Sequence, residues 1–124
     1  MFNSAKFRAK LMEELAIKCH KKHLVDKAFL TGSLSLIDAY LNIPMQDFLA
    51  ECHLDEDIEH ALLHQAGPLG ELLKVAIEMN HASDIHNTVV ELHHCTELTS
   101  EQFYDAYVKA MFFLEQTQEH HHNV

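Results

Sequence analysis

The sequence predicts an all-α protein, a compact bundle of about six to seven helices. Three observations predict it. Three glycines and two prolines in 124 residues leave little to interrupt a helix. Apolar residues recur at three- and four-residue spacing in segment after segment. No stretch alternates apolar and polar residues as a half-buried strand would. With 48% hydrophobic and 23% charged residues, a single domain with its own core is expected. It covers residues 1–118, and 119–124 form a disordered, histidine-rich tail.

The first helix begins near Ser4, a candidate N-cap. Phe7, Leu11, Met12, Leu15, Ala16 and Cys19 form one stripe. The segment closes on "KCHKKH", cations placed where the helix dipole favours them. A second helix over about 24–41 is apolar nearly all round, so it is expected to be the core helix. "NIPMQDFLAEC" supplies a turn and a short helix opened by Pro44. "LDEDIEHALLHQ" starts at Asp55, with acids that complement a helix N-terminus. "AGPLG" breaks the chain, its Pro68 opens the next helix, and Ser83 caps another. "TSEQFYDAYVKAMFFLEQ" offers a capping box of Thr99 with Gln102. Phe103, Tyr104, Tyr107 and Phe112 on that last helix are expected to form an interface or a core face.

Net charge is −10, and it is unevenly spread. Residues 1–27 carry seven cations against three acids, +4; the rest carries two against sixteen, −14. An acidic body argues against nucleic-acid and anionic-membrane partners. Three cysteines (Cys19, Cys52, Cys95), widely spaced and odd in number, fit reduced cytoplasmic thiols. No signal peptide is evident, and no apolar run nears the ~18–20 residues of a membrane span.

Twelve histidines raise the question of a metal. His60 and His64 share a helix face at i, i+4, but "HALLH" lacks the glutamate of an HExxH motif. His20 and His23 lie among lysines, which repel a cation. The expected answer is no specific metal and no cofactor, with His60 and His64 as the weak alternative. Nucleophilic catalysis has no matched base, and neither GxxxxGK[ST] nor GxGxxG occurs. One arginine, Arg8, equips the chain poorly for bidentate phosphate binding.

The segment "AFLTGSLSLIDAYLNIPMQDFL", with the acidic helix and "GPLGELL", resembles the HDOD domain, the HD-related output domain, in the form fused behind an EAL domain in bacterial signalling proteins. The likeness runs from about Ala5 to about Phe113. Relatives often read A-F-x-x-G-L-L-H-D-I-G where this chain has residues 28–38. Ala28, Phe29 and Gly32 match that pattern. Ser35 stands at the histidine position and Leu36 at the aspartate position of the metal dyad. Leucine cannot ligate a metal, and serine is a poor ligand for zinc or iron. Asp38 lies three residues on, about 300° round a continuous helix from Ser35.

The resemblance implies a cytoplasmic, non-catalytic signalling module linked to cyclic-di-GMP, acting through helix-face contacts. Family domains usually begin with several helices upstream of Ala5. The chain is therefore expected to be partial and to leave apolar stripes uncovered. Those stripes would pair with a second copy or with an EAL or N-terminal HDOD segment. Two rival readings are a metal-dependent HD-type phosphohydrolase and a histidine-rich metal- or pH-responsive helical protein.

Overall fold

The computed structural model describes residues 2–122, with side chains described for 3–117. Among them are eight α-helices and one short 3-10 helix, a compact all-α bundle. The helices are α1 (Phe2–Lys18), α2 (Val25–Leu34), α3 (Ile37–Leu41), α4 (Met45–Ala50), α5 (Glu56–His64), α6 (Gly67–Asn80), α7 (Ile85–Cys95) and α8 (Ser100–His122). The 3-10 turn, Lys22–Leu24, joins α1 to α2.

The centre is α1, not the second helix. It packs against α2, α6 and α8. Leu11, Met12, Leu15 and Ala16 are fully buried. Burying each of the larger three stabilises the fold by roughly 1.5–3 kcal/mol. From α6, Leu69, Leu72, Leu73, Ala76 and Met79 complete the core, with Phe103, Ala106 and Ala110 from α8. On α2 only Ala28, Thr31 and Gly32 are buried, and Leu30 is 39% exposed. The all-round apolar character of 24–41 therefore misplaces it as core. One of its faces meets α1, and other apolar side chains stay at the surface.

That segment is also not one helix. α2 stops at Leu34, and α3 restarts at Ile37 after the two-residue break Ser35–Leu36. The Ser35 hydroxyl donates to the Gly32 carbonyl (2.8 Å). Such side-chain-to-backbone bonding competes with helix propagation. This break raises the helix number above the expected six to seven.

Caps follow local chemistry. Thr99 and Gln102 form the reciprocal capping box: the Thr99 N–H donates to Gln102 Oε1 (2.8 Å), and the Gln102 N–H donates to Thr99 Oγ1 (3.2 Å). The cap of α7 is Asp84, one residue after Ser83; its carboxylate accepts from the Asn87 N–H (3.2 Å). Ser4 lies inside α1 rather than capping it. Pro44 occupies the N-cap of α4, and Pro68 sits in the first turn of α6. Asp55 stands at the N-cap of α5 without a side-chain cap bond. Its carboxylate and that of Asp57 instead reach Lys27 of α2, at 3.3 and 3.0 Å. The backbone of α8 continues to His122, into the stretch expected as a tail; Asn123 and Val124 lie outside the described residues.

Helices α1 and α2 come into backbone contact at Gly32. A Cβ placed there would lie 2.6 Å from Ala9 Cα and 2.8 Å from the Arg8 carbonyl oxygen. Those atoms are backbone and cannot step aside, so only glycine lets α2 lie this close to α1. Gly32→Ala is expected to push the helices apart and destabilise the fold by about 3 kcal/mol. Urea denaturation measures it; a loss under about 0.5 kcal/mol would show that the contact is looser than described.

Candidate functional site

The break at Ser35–Leu36 is the stretch where the resemblance places a metal dyad. Ser35 is half-buried and already engaged. Besides donating to Gly32, its oxygen accepts from Arg8 Nη1 (3.1 Å). Leu36 is half-buried and carries no metal-binding atom. Asp38 Oδ1 accepts from the Ala39 N–H (2.9 Å), a local bond in the first turn of α3. Because the helix restarts at Ile37, the 300° relation between Ser35 and Asp38 in a continuous helix does not carry over.

The organising group at this site is Arg8, which the sequence reading considered only as a phosphate ligand. It comes from α1 and is 3% exposed. Its Nη2 donates to Asn80 Oδ1 (3.2 Å) and lies 3.0 Å from His81 Nε2. Arginine has no acceptor, so the last contact is a hydrogen bond when His81 is neutral with its proton on Nδ1. One guanidinium thus joins α1, the α2–α3 break and the C-terminal end of α6. None of the three partners is an acid, and Arg8 Nε is buried without a hydrogen-bond partner among the described residues. Burial pushes the guanidinium below its ordinary pKa, because no carboxylate offsets the lost hydration. One sequence signal pointed here. Arg8 lies on the apolar stripe of α1, four residues before Met12 and seven before Leu15, where an arginine must find buried partners.

The second charged cluster is on the α1–α8 seam. Glu14 is buried and contacts Lys10 (3.6 Å), Lys18 (3.4 Å) and Lys109 (3.7 Å). Lys18 and Lys109 also reach Asp105, at 2.7 and 3.1 Å. Hydrogen bonds from Lys18 and Lys109 hold the Asp105 carboxyl below the usual aspartate range. Asp105, and after it Glu14, raises Lys109. The basic first helix therefore spends part of its charge inside the fold.

The other singled-out residues separate. His60 and His64 lie on the exposed side of α5; His60 is 3.7 Å from Glu56, its neighbour one turn back. Among the described residues no group of three or more His, Cys, Asp and Glu side chains is placed to hold a metal ion. No helix among the described residues is long and apolar enough to cross a membrane. Phe103 is wholly in the core. Tyr107 packs edge-on to Phe7, with centroids 5.4 Å apart. Tyr104 stacks on His86, its hydroxyl 2.6 Å from Nδ1. Phe112 turns outward and is 58% exposed. With Val108 and Met111 it makes an uncovered i, i+3, i+4 ridge beside a shallow groove of about 320 Å³. Tyr40, Leu41 and Ile43, on and just after α3, are exposed as well.

The chain is 33% identical over 73 residues to the cyclic di-GMP phosphodiesterase CdgJ of Vibrio cholerae serotype O1. The match spans 59% of this chain but 17% of that protein's length. No family model matches the chain, and no solved structure matches it.

Two outcomes test the site's electrostatics. Arg8→Ala removes bonds to three residues and is expected to cost about 2 kcal/mol in urea unfolding. Arg8→Lys, which lacks the planar fork, is expected to recover less than half of that. The second test uses pH. Asp105 has a depressed folded-state pKa, so its contribution is present above the ordinary aspartate value. It is lost as pH falls through the lower folded value. Asp105→Asn is therefore expected to make the acid limb of the stability curve, below about pH 4, shallower than in the wild type.

Proposed function

We propose that this chain is part of an HDOD-like, non-catalytic signalling module in a cyclic-di-GMP-linked bacterial protein, working through protein contacts on its uncovered apolar faces. The observation that carries the reading is the Val108–Met111–Phe112 ridge of α8 in a chain similar to a cyclic di-GMP phosphodiesterase. Large apolar side chains at helical spacing, left exposed among the described residues, are the usual mark of a docking face. The dyad positions add support. Ser35 is bonded to Arg8 and Leu36 has no ligand atom, so chemistry of the HD hydrolase type has no ready donor set there.

In this reading the bundle is a rigid body that receives or passes on a conformational state through the ridge. The partner is a second copy, an EAL-type domain, or the helices that precede the corresponding segment in HDOD domains. Binding would cover Phe112 and its neighbours, removing apolar surface from water.

Sedimentation equilibrium of the chain, alone and mixed with an EAL-type domain, tests this. Association is expected in one of the two, weakened at least about tenfold by Phe112→Asp, whose unpaired charge would have to be buried. A monomer that ignores the EAL-type domain, or association indifferent to Phe112→Asp, overturns the interaction reading. Manganese-dependent turnover of a cyclic dinucleotide by the purified chain would favour the phosphohydrolase instead.

A further inference from the structure

A cleft of about 380 Å³ opens at the far end of α1 from the Ser35 break. It lies where the C-terminal end of α1, α6 and the α7–α8 turn meet. That volume is within the usual range for small-molecule sites. Its apolar lining is Leu15, Leu72, Val75, Leu98 and Phe103. Cys19 also lines it, half-buried, with a free thiol.

The polar groups around this cleft differ in how they are used. Lys18 is committed to Glu14 and Asp105. Glu71 faces Lys74 at 3.8 Å. Lys21 and Glu97 form no ion pair with any described residue, although both line the cleft. They come from different segments, Lys21 just beyond α1 and Glu97 in the α7–α8 turn. Both are felt at the Cys19 thiol. Burial raises that thiol first, Lys21 pulls it down and Glu97 pushes it up. An unpaired cation and an unpaired anion thus border one apolar floor without meeting each other. The Gln102 side-chain oxygen is spent on the capping box, which leaves its amide nitrogen as a further donor at the rim.

We propose that this cleft binds a small zwitterion with an apolar body, of the class of free apolar α-amino acids, with the carboxylate toward Lys21, the ammonium toward Glu97 and the side chain on the Leu72–Val75–Leu98 floor. A purely apolar ligand would use the floor and neither charge. An anion alone would be repelled by Glu97, and a cation alone by Lys21. Binding is non-covalent, since burial keeps the Cys19 thiol protonated and a poor nucleophile. The inference is independent of the α8 ridge and of any cyclic-dinucleotide link.

Titration of the full chain with L-leucine, followed by backbone amide NMR and by calorimetry, tests it. The expected result is saturable one-to-one binding, with shifts confined to residues such as Cys19, Val75 and Leu98. 4-Methylpentanoate, which lacks the ammonium, and isopentylamine, which lacks the carboxylate, should each bind at least about tenfold more weakly. Lys21→Glu and Glu97→Lys should each weaken leucine binding by a similar factor, and the double exchange should restore part of it. Both positions are partly or fully solvent-facing, so the variants are expected to fold, which circular dichroism checks. No shift at the cleft with leucine at ~10 mM overturns the proposal. So does equal binding of either one-charge analogue, or binding that neither single charge reversal changes.

Discussion

Gly32 lets the backbone of α2 lie against Ala9 and Arg8 of α1, and much of the fold is arranged around that approach. With α2 pressed to α1, Ala28 and Thr31 close against the core, and Thr31 satisfies its buried hydroxyl on the Lys27 carbonyl (2.7 Å). The same approach carries the end of α2 to the Arg8 side chain. There the Ser35 hydroxyl bonds the guanidinium and the Gly32 carbonyl together. Leu11, Met12 and Leu15 then present their faces to α6 and α8. Apolar burial supplies the driving force, and the glycine contact sets where the helices stop.

Polar groups inside such a bundle are held to strict terms. Glu14 is buried with three lysines around it, a cluster in which each charge has an opposite within 4 Å. Arg8 is buried to a similar degree but meets a hydroxyl, an amide oxygen and an imidazole nitrogen, none of them a carboxylate. The two sites therefore behave differently. The Glu14 cluster ties α1 to α8 by charge. The Arg8 cluster ties α1, the α2–α3 break and α6 by hydrogen-bond direction, at the cost of dehydrating a cation. A position that the HDOD resemblance gives to a metal dyad is, in this chain, a helix break fastened by the protein's own side chains.

Apolar surface outside the core is unevenly shared. Phe7, Phe103 and Tyr107 meet one another's elements across the α1–α8 seam, and Phe29 meets Phe113 edge-on. Among the described residues Val108, Met111 and Phe112 stay about half exposed, and Leu30 is only partly covered. A stripe widened to most of a helix circumference cannot be wholly buried by the elements that α8 meets here, chiefly α1 and α7.

The amino-acid sequence by itself determined the helical class, most helix positions, the Thr99–Gln102 cap and the absence of a His-Asp pair at Ser35 and Leu36. These follow from periodicity and side-chain chemistry, which act within a few residues. It also marked the aromatic stripe of α8, but not which members face inward: Phe103 and Phe112 look alike in a pattern, and only the position of α1 separates them. The tertiary structure decided that α1 is the central helix, because apolar character says a helix can be buried and not which neighbour buries it. It broke the 24–41 helix at Ser35, whose hydroxyl accepts from Arg8, 27 positions away, while donating to the Gly32 carbonyl. It moved the acids of α5 toward Lys27, and it set Lys21 and Glu97 on opposite segments of one cleft. Each of these pairs residues far apart in the chain. Their meeting depends on how closely two backbones approach, and at Gly32 that distance is set by the absence of a single carbon atom.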